Sequence, residues 1–308
     1  MEVFLIQADT YKIGFIGAGK MAESIARGVV RSGVLPASRM STSHSKTDRR
    51  QVFESFGVRV LPKNDDVVEE SDVVIFSVKP QVVKDVVLQL KPLLSKKKLL
   101  VSVAAGVKLK DLQRAMADEI FPRIMGGSRA KEAWDTSQDE FQGTVKVKEW
   151  AGHSRFIRVM PNTPAAVGEA ASVMSLGGAA TEEDGNIIVN LFGSIGKIWK
   201  ADEKLFDAAT GLSGSGPAYV FLAIEALADG GVAAGLPRDL ALGLASQTVL
   251  GAASMATKSG KHPGQLKDDV ASPGGTTITG VHELEKGGLR GLFMNAVVAA
   301  AKRSRELS

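Results

Sequence analysis

The chain contains no cysteine among its 308 residues, which excludes disulfides, thiol nucleophiles and cysteine-based metal sites. Histidine is scarce as well. The four histidines, His44, His153, His262 and His282, are scattered, and no His-x-x-x-His pair indicates a metal site. The formal net charge is only +4, and no block of Lys and Arg is interleaved with aromatic residues. We therefore expect neither a bound metal nor a nucleic-acid partner.

Long hydrophobic runs are also missing. No stretch approaches the ~20 apolar residues of a membrane span, so we expect no membrane partner. Residues 1–10 carry two acids and no Lys or Arg, unlike a signal or transit peptide. These features predict a cytoplasmic protein. With 44% apolar residues in 308, the chain is long and apolar enough for two domains with real cores.

A glycine motif stands near the start of the chain. An apolar run at 13–16 predicts a buried strand, and it is followed by Gly-x-Gly-x-x-Ala and by helical spacing of apolar residues. Such a turn brings backbone N–H groups at a helix start close to a pyrophosphate. The sequence therefore predicts dinucleotide binding, with a structural glycine turn as the alternative. The predicted contacts are Gly17, Ala18, Gly19, Lys20 and Met21. A P-loop is excluded because Met21 replaces its Ser or Thr.

The end of the second predicted strand, 39–42, bears on the choice of cofactor. An NAD-selective fold usually has Asp or Glu there to bind the ribose 2′-hydroxyl. Here the strand is followed by Ser43, His44, Ser45 and Lys46, and then by Arg49 and Arg50. Hydroxyls and cations suit a 2′-phosphate, so we predict a preference for NADP(H). The alternative is a solvated polar loop.

Strands alternate with helices as far as about residue 201. Apolar runs at 72–78, 99–103, 156–160 and 171–176 predict further strands, which indicates an α/β fold with a doubly wound, Rossmann-like parallel sheet. Ligands bind beyond the carboxyl ends of such strands. Besides Gly17 and Ser43, these ends hold Lys79 and Ala105. We assign residues 1–201 to a dinucleotide-binding domain.

Residues 202–308 predict an all-helical second domain. Two glycine-rich stretches in it, 213–216 and 272–277, combine hydroxyls with backbone N–H groups expected at helix starts. Such sites bind anions, including carboxylates; the alternative is two helix caps without a ligand. The helices are rich in Ala, Gly and Ser. This favours close packing between subunits, with packing inside one domain as the alternative.

One missing residue restricts the class of reaction that the chain could catalyse. Hydroxyacid dehydrogenases of the 6-phosphogluconate and hydroxyisobutyrate type carry Gly-x-x-Gly-x-Gly-x-x-x-Lys at the start of their helical domain. Gly211, Gly214 and Gly216 fit that spacing, but Val220 occupies the lysine position. An oxidoreductase that makes or oxidises an alcohol needs a base near the hydroxyl, often Lys or His. A protonated C=N group accepts hydride without one. A hydroxyacid dehydrogenase-like oxidoreductase therefore remains only an alternative.

At these residues the chain resembles the pyrroline-5-carboxylate reductase family, and most closely its plant members. The resemblance covers about 12–307 and rests on runs at 17–22 (GAGKMA), 78–80 (VKP), 159–164 (VMPNTP), 210–219 (TGLSGSGPAY), 262–268 (HPGQLKD) and 272–277 (SPGGTT). It implies NAD(P)H-dependent reduction of 1-pyrroline-5-carboxylate to L-proline, the last step of proline biosynthesis. NADH would serve besides NADPH. It also implies a homodimer formed by the helical domain, with dimers assembling into a decamer.

The resemblance also assigns roles to residues. Ser43 and Asn64 would lie near the adenosine end of the cofactor. The nicotinamide side would be flanked by Val78, Lys79 and Pro80, by Ala104, Ala105 and Gly106, and by Asn162. The substrate carboxylate would be held by the turn of Ser272, Pro273, Gly274, Gly275, Thr276 and Thr277. The bonds would come from its backbone N–H groups, which Pro273 lacks. Thr277 would also hydrogen-bond the substrate's ring nitrogen, which makes it the predicted catalytic residue.

Residues 114–148 depart from the family pattern, which passes from about Gln113 almost directly to Glu149. This segment is long, has no clean periodicity and looks like a retained intervening segment or a variant gene model. Its place after a helix predicts that it lies away from the cofactor edge of the sheet.

A second class of function is a non-catalytic NADP-binding sensor. That hypothesis leaves the anion-binding stretches of the second domain unexplained.

Overall fold

The computed structural model describes residues 11–117 and 155–307. They form two compact units: one extends to Gly214 and takes in the chain end from Ala301, and the other is Ser215–Ala300. The sequence placed the domain boundary between residues 201 and 202. The boundary between the compact units lies further along the chain because 202–214 packs with the first unit. Phe206 is fully buried there, and Glu203 pairs with Arg158 of the sheet.

The first unit is built on one eight-stranded sheet with the order β3-β2-β1-β4-β5-β6-β7-β8. Strands β1 to β6 are all parallel to one another. This confirms the predicted Rossmann-like arrangement. From β1 to β8 the strands are Ile13–Ile16, Met40–Ser43, Arg59–Leu61, Val73–Phe76, Leu99–Ser102, Arg155–Met160, Ala170–Leu176 and Gly196–Lys200.

The last two strands reverse direction, which the simple parallel prediction missed. Strand β7 pairs antiparallel with β6, and β8 is parallel to β7. The link from β6 to β7 holds only the short 3-10 turn Thr163–Val167. A parallel return needs a crossover of about a dozen residues or more, so this short link forces the antiparallel pairing.

Helices connect the strands of the first unit. In chain order α1 to α7 are Lys20–Ser32, Thr47–Glu54, Asn64–Glu70, Pro80–Leu90, Leu109–Ala117, Glu182–Gly193 and Phe206–Ala209. Their starts follow ordinary signals. Pro80 opens α4, where its missing N–H costs nothing. Thr181 caps α6 in a capping box with Asp184.

Both faces of the sheet are covered, so its central strands are apolar throughout. Within β4, Val73 and Ile75 join one buried cluster with the α1 residues Ile25 and Val29. The alternating Val74 and Phe76 join the other cluster, with α4 and α5. A strand buried on both faces reads as a continuous hydrophobic run, which is why these strands could be located from the sequence.

After Lys200 the described residues form only helical elements. A π-helical turn, Thr210–Gly214, leads to the helices of the second unit. Helices α8 to α12 are Gly216–Ala233, Arg238–Lys258, Pro263–Val270, Thr276–Lys286 and Leu289–Glu306. Pro217 lies in the first turn of α8, where proline is favoured. The last turn of α12 returns to the first unit.

The second unit exposes many large apolar side chains and buries few. Its small buried cluster consists of Ala228, Ala241 and Ala245, whereas Phe221 and Leu222 of α8 are 63% and 67% exposed. Helix α9 is long and apolar enough to span a membrane by length and composition, in the described part of the chain. The sequence predicts no such run. So much exposed apolar surface indicates that something covers it.

The predicted insert, 114–148, falls mostly outside the described residues. Its first residues do not depart from regular structure, because α5 continues through Arg114 to Ala117. On the other side of the gap, β6 begins at Arg155 parallel to β5. In a parallel crossover, the end of the helix and the start of the next strand lie at the amino edge of the sheet. The ligand edge is the opposite one.

Candidate active site

The predicted cofactor residues of the first unit lie together at the carboxyl edge of the sheet. Strands β1 and β4 are neighbours, and the strand order reverses between them. That reversal opens the crevice in which doubly wound sheets bind ligands. Gly17 follows β1, Val78 and Lys79 follow β4, and 104–106 follows β5. Topology alone therefore brings these three loops side by side.

The glycine turn after β1 packs directly on the end of β4. Gly17 has φ of +100°, and a Cβ there would lie 2.7 Å from Val78 Cγ1 and 3.0 Å from the Ser77 carbonyl oxygen. Only glycine fits both the conformation and the space. The Ser77 hydroxyl donates to the Gly17 carbonyl oxygen at 2.7 Å. This turn is therefore fixed before any ligand binds.

Gly19, the second glycine of the motif, has a different reason to be small. Its φ is −77°, and a Cβ would meet only the Ser77 carbonyl oxygen, at 3.9 Å. The protein's own packing therefore does not require glycine at this position. Gly19 is the N-cap of α1, and no side chain caps the first N–H groups of that helix. Open amides beside a position with room for a Cβ fit a pyrophosphate.

Arg49 is tied to the glycine turn, which the sequence reading missed. The sequence grouped Arg49 with cations for a 2′-phosphate. In the structure its Nε donates to the Ala18 carbonyl oxygen at 2.8 Å, and its Nη2 pairs with Glu23 of α1 at 2.9 Å. Arg27 and Lys20 also pair with Glu23. Arg49 therefore links α2 to the predicted pyrophosphate loop, and no motif in the sequence signals that contact.

Glu23 sits in the first turn of α1 among three cations. Burial raises the pKa of its carboxyl, but hydrogen bonds from Arg49 and Arg27 and the charge of Lys20 outweigh burial. The pKa is consequently held below its ordinary value. Glu23 is thus ionised at neutral pH, and its charge holds Arg49 in place.

The end of β2 carries no acid, which suits a 2′-phosphate rather than a free 2′-hydroxyl. Ser43 donates from its hydroxyl to Asn64 Oδ1 at 2.5 Å, so the structure brings these two predicted adenosine-side residues together. Lys46 is exposed, and its backbone N–H donates to His44 Nδ1 at 3.0 Å. The end of β2 therefore holds a buried hydroxyl, and the loop after it carries a solvent-facing cation.

On the other side of the glycine turn lie the predicted nicotinamide-side residues. Lys79 is exposed and is the N-cap of α4, which Pro80 opens. Val78 is half-buried against Gly17. After β5, Ala104 and Gly106 are buried while Ala105 between them is half-exposed. The sheet edge thus offers short, mostly apolar loops at the place that a flat ring would need.

Asn162 is buried and makes its contacts with the protein. Its Nδ2 donates to the Ser213 carbonyl oxygen at 3.0 Å, and its Oδ1 accepts the Ala171 N–H at 3.0 Å. The predicted role of Asn162 in cofactor binding stays a prediction. What these bonds do is fix the turn after β6 to β7 and to the turn 210–214.

The predicted loop at 213–216 is not an open glycine turn. Residues 210–214 form a π-helical turn, Ser215 is also in the right-handed helical region, and α8 starts at Gly216. The Ser213 hydroxyl donates to the Ala209 carbonyl oxygen at 2.9 Å. A run of glycines indicated a loop, but glycine also permits the unusual spacing of a π turn. The chain is therefore helical where the glycines indicated an open loop, and anion binding at the start of α8 stays a prediction.

The second predicted anion-binding loop is present in the second unit. Residues 272–275 form a turn in which the Gly275 N–H donates to the Ser272 carbonyl oxygen at 3.0 Å. Gly275 is the N-cap of α11, no side chain caps that helix, and Thr276 and Thr277 form its first turn. Thr277 is half-buried. The structure confirms a glycine turn at a helix start; its ligand and the role of Thr277 stay predictions.

No group of His, Asp or Glu suited to a metal ion occurs within 11–117 and 155–307. Two of the histidines serve local turns: His44 accepts the N–H of Lys46, and His262 Nδ1 accepts the N–H of Gly264 at 3.1 Å. His153 lies outside the described residues.

Comparison with protein families agrees with this division of the chain. Residues 12–106 match the family of NADP oxidoreductases described as coenzyme F420-dependent. Residues 203–307 match the dimerisation domain of pyrroline-5-carboxylate reductase. The fold, the glycine turn and these matches define the chain as an oxidoreductase with an NADP-type Rossmann unit followed by a helical dimerisation domain.

Individual relatives identify the family within this class of oxidoreductases. The chain is 72% identical to pyrroline-5-carboxylate reductase of Pisum sativum, over all of both chains. It is 67% identical to the Arabidopsis thaliana enzyme, over 100% of this chain and 99% of that one. The chain belongs to the pyrroline-5-carboxylate reductase family.

Solved structures show the same fold over nearly the whole chain. A Plasmodium falciparum pyrroline carboxylate reductase with NADP bound has a TM-score of 0.79 at 29% identity, covering 97% of this chain and 98% of that one. The Coxiella burnetii pyrroline-5-carboxylate reductase has a TM-score of 0.77 at 33% identity, covering 97% and 99%.

Proposed function

We propose that this chain reduces 1-pyrroline-5-carboxylate to L-proline with NADPH, the last step of proline biosynthesis. The observation that carries the proposal is the 72% identity to the pea enzyme of that name over the full length of both chains. The geometry supports it with an open glycine turn in the first unit and a second one, at a helix start, in the second unit.

The first unit has the parts needed to hold the cofactor. Amides at the start of α1 would bind the pyrophosphate, with Gly19 leaving room for it. Ser43 and Asn64 would contact the adenosine ribose, and the exposed Lys46 would balance the 2′-phosphate. The loops 78–80 and 104–106 would border the nicotinamide ring. When bound, NADPH supplies the hydride for the reduction.

The second unit has the parts needed to hold the substrate. Backbone N–H groups at the start of α11 would bind the substrate carboxylate, since a helix N-terminus favours an anion. The Thr277 hydroxyl would hydrogen-bond the ring nitrogen. The C=N carbon gains hydride, the nitrogen takes a proton, and a CH–NH bond results. Such a substrate needs no base at Val220, where hydroxyacid dehydrogenases have lysine.

NADP(H) is the cofactor that the β2 edge and the family match support best. We propose that NAD(H) also serves, more weakly, because the hydroxyl of Ser43 does not repel a free ribose. Changing Ser43→Asp together with Lys46→Glu should lower the preference for NADPH over NADH by about tenfold or more, since a carboxylate opposes the 2′-phosphate. Ratios of kcat/KM for the two cofactors measure this. An unchanged ratio would remove these residues from cofactor selection.

We further propose that the protein works as a homodimer in the cytoplasm, with dimers assembling into a decamer. The exposed apolar side chains of α8 and α9 support association of the second unit with another copy. A second copy that covers these side chains would explain why α9 is apolar without requiring a membrane.

The direct test is a purified sample mixed with NADPH and 1-pyrroline-5-carboxylate. The proposal expects NADPH absorbance to fall in step with the appearance of proline. A folded sample that binds NADPH but shows no loss of absorbance would instead support a non-catalytic sensor.

A further inference from the structure

The last turn of α12 packs on the loop that follows β5. Gly106 in this loop is buried and has φ of +76°. A Cβ on it would lie 3.4 Å from Leu307 Cβ and 3.4 Å from the Ser304 carbonyl oxygen. The end of the chain therefore packs against the backbone of Gly106, and a shift of this helical turn would displace that part of the loop.

Ser304 fixes that turn in place. It is 3% exposed, and its hydroxyl donates to Asp207 Oδ1 of α7 at 2.6 Å. A hydrogen bond from a buried hydroxyl to a carboxylate is among the stronger ones in proteins. Asp207 in turn belongs to the segment that begins at Glu203, so α12 is attached to a part of the first unit that is itself anchored.

The same segment holds the far end of the loop. Glu203 Oε1 accepts the N–H of Leu109, the first residue of α5, at 2.7 Å. It also pairs with Arg158 of β6 at 2.9 Å. Arg158 is almost fully buried, and its guanidinium carbon lies 4.6 Å from the centre of the Phe206 ring. The short segment 203–207 is therefore hydrogen-bonded to both α5 and α12. Residues 104–108 run from the contact with α12 to the start of α5.

We propose that Ser304 is a positioning residue for the hydride transfer: through Asp207 and the backbone around Gly106 it holds 104–106 in the conformation that borders the nicotinamide ring. This inference rests on the proposed function, because it takes 104–106 as the nicotinamide-side loop. Ser304 itself touches neither cofactor nor substrate. It acts through a hydrogen bond and a packing contact on the protein side of the loop.

The test compares Ser304→Ala with the native protein, and Asp207→Ala with Asp207→Asn. Asparagine keeps an oxygen that accepts the Ser304 hydroxyl and should rescue what alanine loses. Ser194→Ala is the matched control, because the Ser194 hydroxyl donates only to the Leu191 carbonyl oxygen beside it, at 2.7 Å. The readouts are amide hydrogen exchange without ligand, the Kd for NADPH, and KM and kcat.

Ser304→Ala and Asp207→Ala should speed exchange at 104–109 while leaving 17–22 and 43–64 unchanged. The Kd for NADPH should rise about threefold to tenfold, the effect of losing one hydrogen bond, and kcat should fall. Asp207→Asn and Ser194→Ala should stay near native values. If Ser304→Ala fails to fold, the two Asp207 variants decide the question.

Exchange that rises evenly across the first unit, or a Kd within about twofold of native, would overturn the proposal, since either result means a general structural role. Exchange and NADPH binding do not depend on turnover. Failure of the native protein to reduce the pyrroline substrate would contradict the proposed function without affecting these two measurements.

Discussion

At the scale of single residues, Glu23 shows how a charge in the first turn of α1 can stabilise the glycine turn that is predicted to bind the cofactor. It lies at the positive end of α1, where a bound pyrophosphate would also lie, and it holds Arg49 on the Ala18 carbonyl. Sequence motifs locate the glycines because their spacing follows from backbone geometry. They do not locate Arg49, because its contact depends on how α2 packs against α1.

Glu23→Gln should destabilise the protein at pH 7 by about 1–2 kcal/mol, since it loses charge-assisted bonds to Arg49 and Arg27. The folded pKa of Glu23 is lowered, so its stabilisation is complete above the ordinary pKa of glutamate. It is lost as pH falls through the lowered folded pKa. Thermal unfolding of both proteins between neutral and acid pH should therefore show a gap that closes on acidification.

Glu182→Gln is the control for this experiment, because Glu182 pairs with Lys200 on the surface, with 73% and 53% of the side chains exposed. Exposed pairs contribute little, so this variant should match the native protein throughout. A gap for Glu23→Gln that persists unchanged in acid would show that its charge is not what stabilises the turn.

At the scale of elements, the two glycines of the first turn separate folding from cofactor binding. Gly17→Ala should destabilise the protein by about 1–3 kcal/mol, because alanine is strained at positive φ and its Cβ meets Val78. Gly19→Ala should leave the melting temperature nearly unchanged and raise the Kd for NADPH about tenfold or more, since its Cβ takes the room of the pyrophosphate.

Calorimetry and NADPH titration of both variants measure this separation. A Gly19→Ala protein that binds NADPH as tightly as the native one would show that the pyrophosphate does not approach this position. Loss of stability equal to that of Gly17→Ala would show that Gly19 serves packing instead.

The strands and helices of the first unit could be predicted because each strand is a continuous apolar run and several helices open with a proline or a cap. Two features could not. The reversal at β7 depends on the length and shape of the link after β6. The π turn at 210–214 depends on contacts such as that of Asn162 with Ser213, and its glycines predict an open loop equally well.

At the scale of the whole molecule, the second unit makes sense only with its apolar surface covered. It buries the small side chains of Ala228, Ala241 and Ala245 and exposes much larger ones. Its family match is a dimerisation domain. The sequence predicted a helical second domain, but it did not show which faces of α8 and α9 would meet another copy, because these helices are so rich in Ala and Gly.

Phe221→Glu combined with Leu222→Glu should weaken self-association of the chain by about tenfold or more, because two charges would replace exposed apolar side chains on α8. Sedimentation over a range of concentrations measures this. Val167→Glu, at a 58% exposed apolar residue of the first unit, is the control and should not change the mass. A double variant with native mass at all concentrations would place the contact between copies elsewhere.

The proposed function requires that the start of α11 holds the substrate and that the sheet edge of the first unit holds the cofactor. Thr277→Ala tests it most directly, with kcat from NADPH oxidation and the Kd for NADPH measured on the same sample. The account predicts that kcat falls by about tenfold or more, the effect of losing a bond to the reacting group, while the Kd stays near native. Equal losses in both quantities, or an unchanged kcat, would contradict it.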